Sequence, residues 1–395
     1  MEISRSEKDT VPNAPARYDA VFKTSRFFGG VEQAFGDHLF FAKASTYEQD
    51  FDTSYPGGNN THRYGKVGID EIEVGGSFYF DTHLLSLGAS RSEQKIDYML
   101  RSYGAGVLLD SAHVDKNIAT NAVYAQDEIS LMDDRLILVP GVRFEDHDTY
   151  GTSTTPKLSV LYKLAPQTNL RFQAGKAFKS PTIRQLYYPG DVLHGSNYDR
   201  SNPNLKPEKS TSYHLSLDHF VPAYNLWLHV GVFQNDVKDM VVRENTSETI
   251  GGLVVRTYRN TDKARIRGAE FNVDGKLEAF GVRANAAVLK AENISDGAKK
   301  LPYTPEFIAS ITPYWESVNK KTGASIDMRH VGEQFTNATN TAKVKSYNTV
   351  DVKLWRNVSE STKIALEVSN VFDEGREDYD RGAGRYVGLS FAMQF

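Results

Sequence analysis

Six residues offer the most chemistry: Arg184, Tyr187, Tyr188, His194, Tyr198 and Arg200, all within "FKSPTIRQLYYPGDVLHGSNYDRSNPNLKPEKS", Phe178–Ser210. Guanidinium groups supply fixed charge and a flat stacking face, and tyrosines supply a ring with a polar tip. Such a set suits an anionic ligand that carries flat rings. The stretch holds four prolines and no hydrophobic period of its own. Loops this long are uncommon and are usually functional or disordered.

Other constellations are weaker. His147 between Asp146 and Asp148 in "FEDHDTY" has the residue types of a general base with an orienting acid. A polar, solvated strand end is nevertheless the expected reading. Asp373, Glu374, Glu377, Asp378 and Asp380 lack the regular spacing of a calcium loop and are expected to be a solvated acidic segment. The ten histidines are scattered with no helical His-x-x-x-His pair, so no metal site is expected. No Ser-His-acid cluster is legible, and no enzymatic or covalent chemistry is expected.

The elements that position these groups read as strands. In "RYVGLSFAMQF", Val387, Leu389, Phe391, Met393 and Phe395 share one face, and small or polar residues take the other. "KLSVLYKL" repeats this with Leu158, Val160, Tyr162 and Leu164, Leu161 being the exception, and "KIALEVSN" with Ile364, Leu366 and Val368. On that alternation Arg143, Lys157, Lys163 and Arg171 point to the other side, a lumen. Short polar turns occur at Gly36–His38, Asp81–His83, Met132–Arg135, Ala165–Thr168, Pro222–Asn225, Glu278–Gly281, Val318–Gly323 and Val358–Thr362. Longer segments fall between them, at Asp52–His62, Tyr98–Lys116, Asp146–Thr155, Phe178–Glu208, Glu244–Lys263, Ala291–Tyr303, Phe335–Lys345 and Asp373–Gly384. Short turns alternating with long connections are the plan of an all-β, antiparallel transmembrane barrel. A sandwich needs strands of only about 5–6 residues, shorter than several runs here, and no repeat period supports a solenoid.

Composition agrees. Tyr and Phe, 21 of each, suit β structure, and with no cysteine there are neither disulfides nor thiolate sites. A net charge of −4 without a basic patch argues against nucleic acid. No apolar run reaches the length of a transmembrane helix, and the polar N-terminus shows no signal-peptide pattern. Residues 1–17 are expected to be a polar segment and 18–395 a partial barrel.

Seven segments in order resemble one family. They are "NAVYAQDEISLMDDRLILVPGVRFEDHDTYG" (Asn121–Gly151), "TPKLSVLYKLAPQTNLRFQAGKAFKSPTIRQLY" (Thr155–Tyr187), "NPNLKPEKSTSYHLSL" (Asn202–Leu217), "KARIRGAEFNV" (Lys263–Val273), "LPYTPEF" (Leu301–Phe307), "EVSNVFDEG" (Glu367–Gly375) and the terminal Phe395. Together they resemble the C-terminal barrel of TonB-dependent outer-membrane receptors, with "GVRFEDHD" and "KARIRGAEF" most similar to the colicin I, ferric enterobactin and vitamin B12 receptor branch.

The resemblance implies an outer-membrane location, a receptor and transporter function for a ferric-siderophore-type chelate, and no covalently bound cofactor. It implies three partners: the lipid bilayer, an assembly machinery that reads Phe395, and a TonB complex reached through a plug. The plug and its coupling box are not legible in this chain, and about seventeen of the family's twenty-two strands are counted, the pattern of a truncated receptor. A heme receptor is the alternative, because His194 lies between the Phe178-Lys179-Ser180-Pro181 and Asn-Pro-Asn-Leu motifs as a histidine does in heme-binding relatives; a cobalamin receptor is a further one. A passive pore is the alternative class.

Overall fold

The computed structural model describes residues 2–8, 18–55, 60–104, 107–188, 190–194, 197–261, 263–375 and 384–393. The terminal Phe395 and the acidic residues Glu377, Asp378 and Asp380 lie outside them. Nearly everything described is strand, and one antiparallel sheet of nineteen strands dominates. Each long strand pairs with the next along the chain, from Glu2–Lys8 to Tyr386–Met393. The seventeen long strands expected from Tyr18 onward are present. An additional one, Glu2–Lys8, lies in the polar N-terminal segment and pairs with Tyr18–Thr24. Among the described residues no ladder joins Glu2–Lys8 to Tyr386–Met393.

Register explains why the sheet has a lipid side. Following paired residues across eight strands gives the row Leu138, Val160, Phe172, Leu215, Val232, Ala269, Val288 and Phe307, all apolar. Adjacent positions form a second row that runs Arg171, Ser216, Gly231 and Glu270. Side chains two apart share a face, so the first row faces lipid and the second the lumen. The last hairpin obeys the same parity, with Ile364, Leu366 and Val368 opposite Phe391, Leu389 and Val387. Most of the apolar row is exposed, as expected of residues solvated by lipid.

All eight short turns expected at one end are found there. Gly36, Asp81, Asn225 and Glu278 take left-handed conformations within them, which the tight reversal of an antiparallel pair requires.

The opposite, extracellular end corrects the sequence picture. Asp146–Thr155 is no long connection: strand Leu136–His147 returns as Gly151–Ala165 across a three-residue turn. Most of Tyr98–Lys116 is the upper part of strands His83–Gly104 and Val107–Leu131, and Glu244–Lys263 is largely a hairpin, Met240–Ile250 with Leu253–Thr261. About 9–11 residues suffice to cross the bilayer, so strands of 21, 22 and 25 residues project well beyond it. Past the lipid their outer face carries charge instead of apolar groups. Thr46 and Lys95 both bond Asp70 at 2.6 Å, and Lys66 lies 3.4 Å from Glu48. Loss of the apolar stripe makes a paired strand look like a loop.

The two faces give a testable contrast. Leu215→Arg, in the middle of the lipid-facing row, is expected to destabilise the folded barrel by about 2–4 kcal/mol. Ser212→Arg, on the lumen face of the same strand, is expected to stay near wild type. Urea unfolding in lipid vesicles measures both.

Candidate functional site

The stretch Phe178–Glu208 is folded. A five-residue helix, Ile183–Tyr187, opens on a capping box: Thr182 Oγ1 accepts the Gln185 N–H at 3.2 Å, and Gln185 Oε1 accepts the Thr182 N–H at 2.8 Å. The helix sorts its side chains by face. Leu186 is buried with Ile118 and Leu205, and Ile183 and Tyr187 pack against that cluster. Arg184 and Tyr188, four apart and so on one side, turn to a cavity in the extracellular mouth.

Phe22, Phe51, Arg63, Tyr98, Arg184 and Tyr188 line this cavity of about 360 Å³. Phe51 and Tyr98 rings lie 5.0 Å apart, and Tyr98 and Tyr188 rings 4.6 Å. The Arg184 guanidinium sits 4.4 Å over the Tyr188 ring, within cation–π reach. The Tyr98 and Tyr188 hydroxyls are hydrogen-bonded to each other. Burial holds the Tyr98 phenol well above the usual tyrosine range, and the Tyr188 phenol beside it adds to the shift. The Tyr98 phenol is therefore neutral near pH 7: it offers stacking and a hydroxyl, not a phenolate.

Of the six residues singled out in sequence, five have described side chains, and of these five the structure brings Arg184 and Tyr188 to this cavity. Tyr187 turns into the packed cluster, with Lys116 Nζ 5.9 Å from its ring centroid. Tyr198 and Arg200 belong to strand Asn197–Arg200, which pairs with Asp191–His194 and, in parallel, with Val254–Thr257 of the next outer hairpin. Arg200 bonds Asp191 at 2.7 and 2.8 Å and lies 2.9 Å from Glu248. Those carboxylates, Asp191 foremost, raise its already high pKa and match its charge within the loop. The His194 backbone pairs with Asn197; its side chain lies outside the described residues. Phe22, Phe51, Arg63 and Tyr98 were not anticipated. Their signal, large residues on the lumen side of strand ends, is legible only once register is known.

The Asn-Pro-Asn-Leu turn acts as the clasp. The Asn202 N–H bonds the Gln185 carbonyl at 2.8 Å, and its side chain bonds the Tyr258 carbonyl at 2.8 Å and the Asn204 N–H at 3.0 Å. Leu205 is buried behind it, and Asn260 brackets Lys206 with two 2.7 Å bonds. The helix is thus pinned to the neighbouring hairpin.

His147 is not solvated as expected; it is 7% exposed and stacks on Tyr150 with ring centroids 3.7 Å apart. Its Nδ1 accepts the Thr149 N–H at 3.1 Å, and Asp148 accepts the Ala119 N–H at 2.8 Å. The Tyr150 hydroxyl donates to Ser180, so this corner supports the base of the loop. Burial depresses the imidazole pKa, outweighing Asp148, Glu145 and Asp146. The histidines are also less scattered in space than in sequence: His214 and His229 meet at Glu270 on the lumen wall.

Two outcomes follow. Asn202→Ala strands the Tyr258 carbonyl and the Asn204 N–H; it is expected to cost about 1–3 kcal/mol locally and to raise hydrogen exchange across 183–205 and 253–261. For His147, the folded state binds a proton less readily than the unfolded chain. Its stabilisation is present above the ordinary histidine pKa of about 6.5 and is lost as pH falls through that value to the depressed folded pKa. An NMR titration is expected to show His147 protonating below the ordinary histidine value of about 6.5, with the Tyr150 stack loosening in step.

Comparison with known proteins agrees with this architecture. Residues 4–371 match the family model for the TonB dependent receptor-like β-barrel. A vitamin B12 transporter of Photobacterium profundum is 24% identical over 239 residues, 59% of this chain and 36% of that protein. A ferric enterobactin receptor of Pseudomonas aeruginosa is 24% identical over 291 residues, 67% of this chain and 39% of that protein. The chain thus spans well under half the length of these relatives. The crystal structure of the ferric yersiniabactin uptake receptor of Yersinia pestis superposes with a TM-score of 0.69 at 18% identity, over 95% of this chain and 60% of that one. With nearly the whole chain matched by the family model and one large antiparallel sheet of long strands in agreement with it, the protein belongs to the TonB-dependent receptor β-barrel family.

Proposed function

We propose that this barrel serves an outer-membrane receptor and transporter that captures a ferric-siderophore-type chelate at its extracellular mouth. The observation that carries the proposal is the cavity where Phe51, Tyr98, Tyr188 and Arg184 converge. Ferric catecholates are anionic and present flat rings. Stacked aromatic faces with a guanidinium answer both properties, and about 360 Å³ falls in the range of small-molecule sites. With Tyr98 offering a hydroxyl and not a phenolate, the iron keeps its chelator's oxygens and the complex is held intact by stacking, charge and hydroxyl contacts. Strands that project beyond the bilayer hold the site where a scarce ligand arrives. Coupling to a TonB complex through a plug, and insertion by an assembly machinery that reads Phe395, are proposed for the whole protein.

Calorimetric titration with ferric enterobactin, heme and cyanocobalamin tests this. Ferric enterobactin is expected to bind, and Arg184→Ala and Tyr188→Ala each to weaken it about tenfold, or about 1.4 kcal/mol. Arg200→Ala is expected to act only through loop order. Binding of heme or cobalamin with no response to ferric catecholates would overturn the siderophore assignment, and for heme would move attention to His194.

A further inference from the structure

His214, His229 and Glu270 lie on three successive strands, Glu208–Val221, Leu226–Lys238 and Ala264–Leu277. Asp218 pairs with His229, and Gly231 pairs with both Ser216 and Glu270. Leu215, Val230 and Phe271 face lipid, so the alternate positions place these polar residues on the lumen wall, toward the periplasmic turns.

Their donor atoms converge. His214 Nε2 is 3.3 Å and His229 Nε2 3.1 Å from the same oxygen, Glu270 Oε1, and the three atoms lie within 4.8 Å of one another. Ligands held at about 2.0–2.1 Å around a tetrahedral zinc stand roughly 3.3 Å apart, so little movement is needed to close on an ion.

Two independent features favour an ion there. His229 Nδ1 lies 2.7 Å from Asp218 Oδ1, and the other Asp218 oxygen accepts Arg171 Nε at 2.7 Å. A carboxylate behind the ring favours a proton on Nδ1, and Nε2 then meets Glu270 Oε1 at 3.1 Å through a proton of its own or, when that proton is displaced, through a cation. An outer partner of this kind orients metal-bound histidines. A lone pair facing a carboxylate oxygen is repulsive unless a proton or cation stands between them. Gly231 supplies the room: a Cβ there would come within 2.9 Å of His214 Nε2 and 3.1 Å of Glu270 Oε1.

We infer that His214, His229 and Glu270 form a lumenal site for a divalent cation of the zinc class, with Asp218 as the positioning residue for His229. Two imidazoles and one carboxylate favour zinc, nickel or copper over calcium or magnesium, and a fourth position stays open to water or a passing ligand. A bound ion would join three neighbouring strands at the lumen wall.

The test is zinc titration of the metal-stripped barrel in detergent, with excess calcium and magnesium present, and cobalt as a spectroscopic probe. One equivalent of zinc is expected, and cobalt is expected to give the intense visible absorption of a four-coordinate site. His214→Asn and His229→Asn should each weaken zinc at least tenfold. Asp218→Asn should weaken it about 10–100-fold and shift the cobalt spectrum, and Gly231→Ala should weaken it without removing a donor. No zinc binding, only weak six-coordinate cobalt absorption, or undiminished binding in the double histidine variant would overturn the site; the last would place the metal on exposed histidines such as His62 or His113. Should a histidine variant not fold, the wild-type cobalt spectrum and Gly231→Ala decide.

Discussion

The backbone cannot carry an unpaired N–H or C=O through hydrocarbon, and the rest of this structure depends on that demand. The antiparallel ladder meets it strand by strand, and its pairing fixes register. Register in turn decides which half of every strand's side chains meets lipid. The row from Leu138 to Phe307 is apolar in each strand because a single-residue slip anywhere would bring Arg171, Glu270 or their neighbours to the lipid.

Much of this was legible from residue order. Alternation in Leu158–Leu164, Ile364–Val368 and Val387–Met393 marked the lipid face, and the eight short turns marked the periplasmic end. Legibility failed where the environment changes along a strand. In His83–Gly104 the outer face switches from Leu85 and Leu87 to Arg91, Glu93 and Lys95 once it leaves the lipid, while the ladder continues. Only lipid demands a stripe. The backbone pairs equally well in water, and sequence pattern records the solvent better than it records the pairing.

The candidate site shows the same division. Arg184 and Tyr188 could be found because they share a loop with strong family motifs, but their partners Phe51 and Tyr98 are separated from them by several strands. Tyr187 differs from Tyr188 only in which side of one helical turn it occupies, a distinction set by where Leu186 and Ile183 are buried. Spacing also hid the lumen cluster. His214 and His229 are fifteen positions apart, which means nothing on a helix, yet a hairpin folded about Pro222–Asn225 sets them on adjacent strands.

Parallel pairing between Asn197–Arg200 and Val254–Thr257 is the least expected bond pattern among described residues whose other ladders are antiparallel. It is reinforced by Asp199 with Arg243 and Arg256, and by Arg200 with Glu248. Two outer loops that are separate in sequence are thereby one mechanical body. A receptor built this way cannot exchange one of these loops with a relative and keep the other: the pair is the unit of inheritance, and any graft that aims to change what the mouth recognises has to carry both.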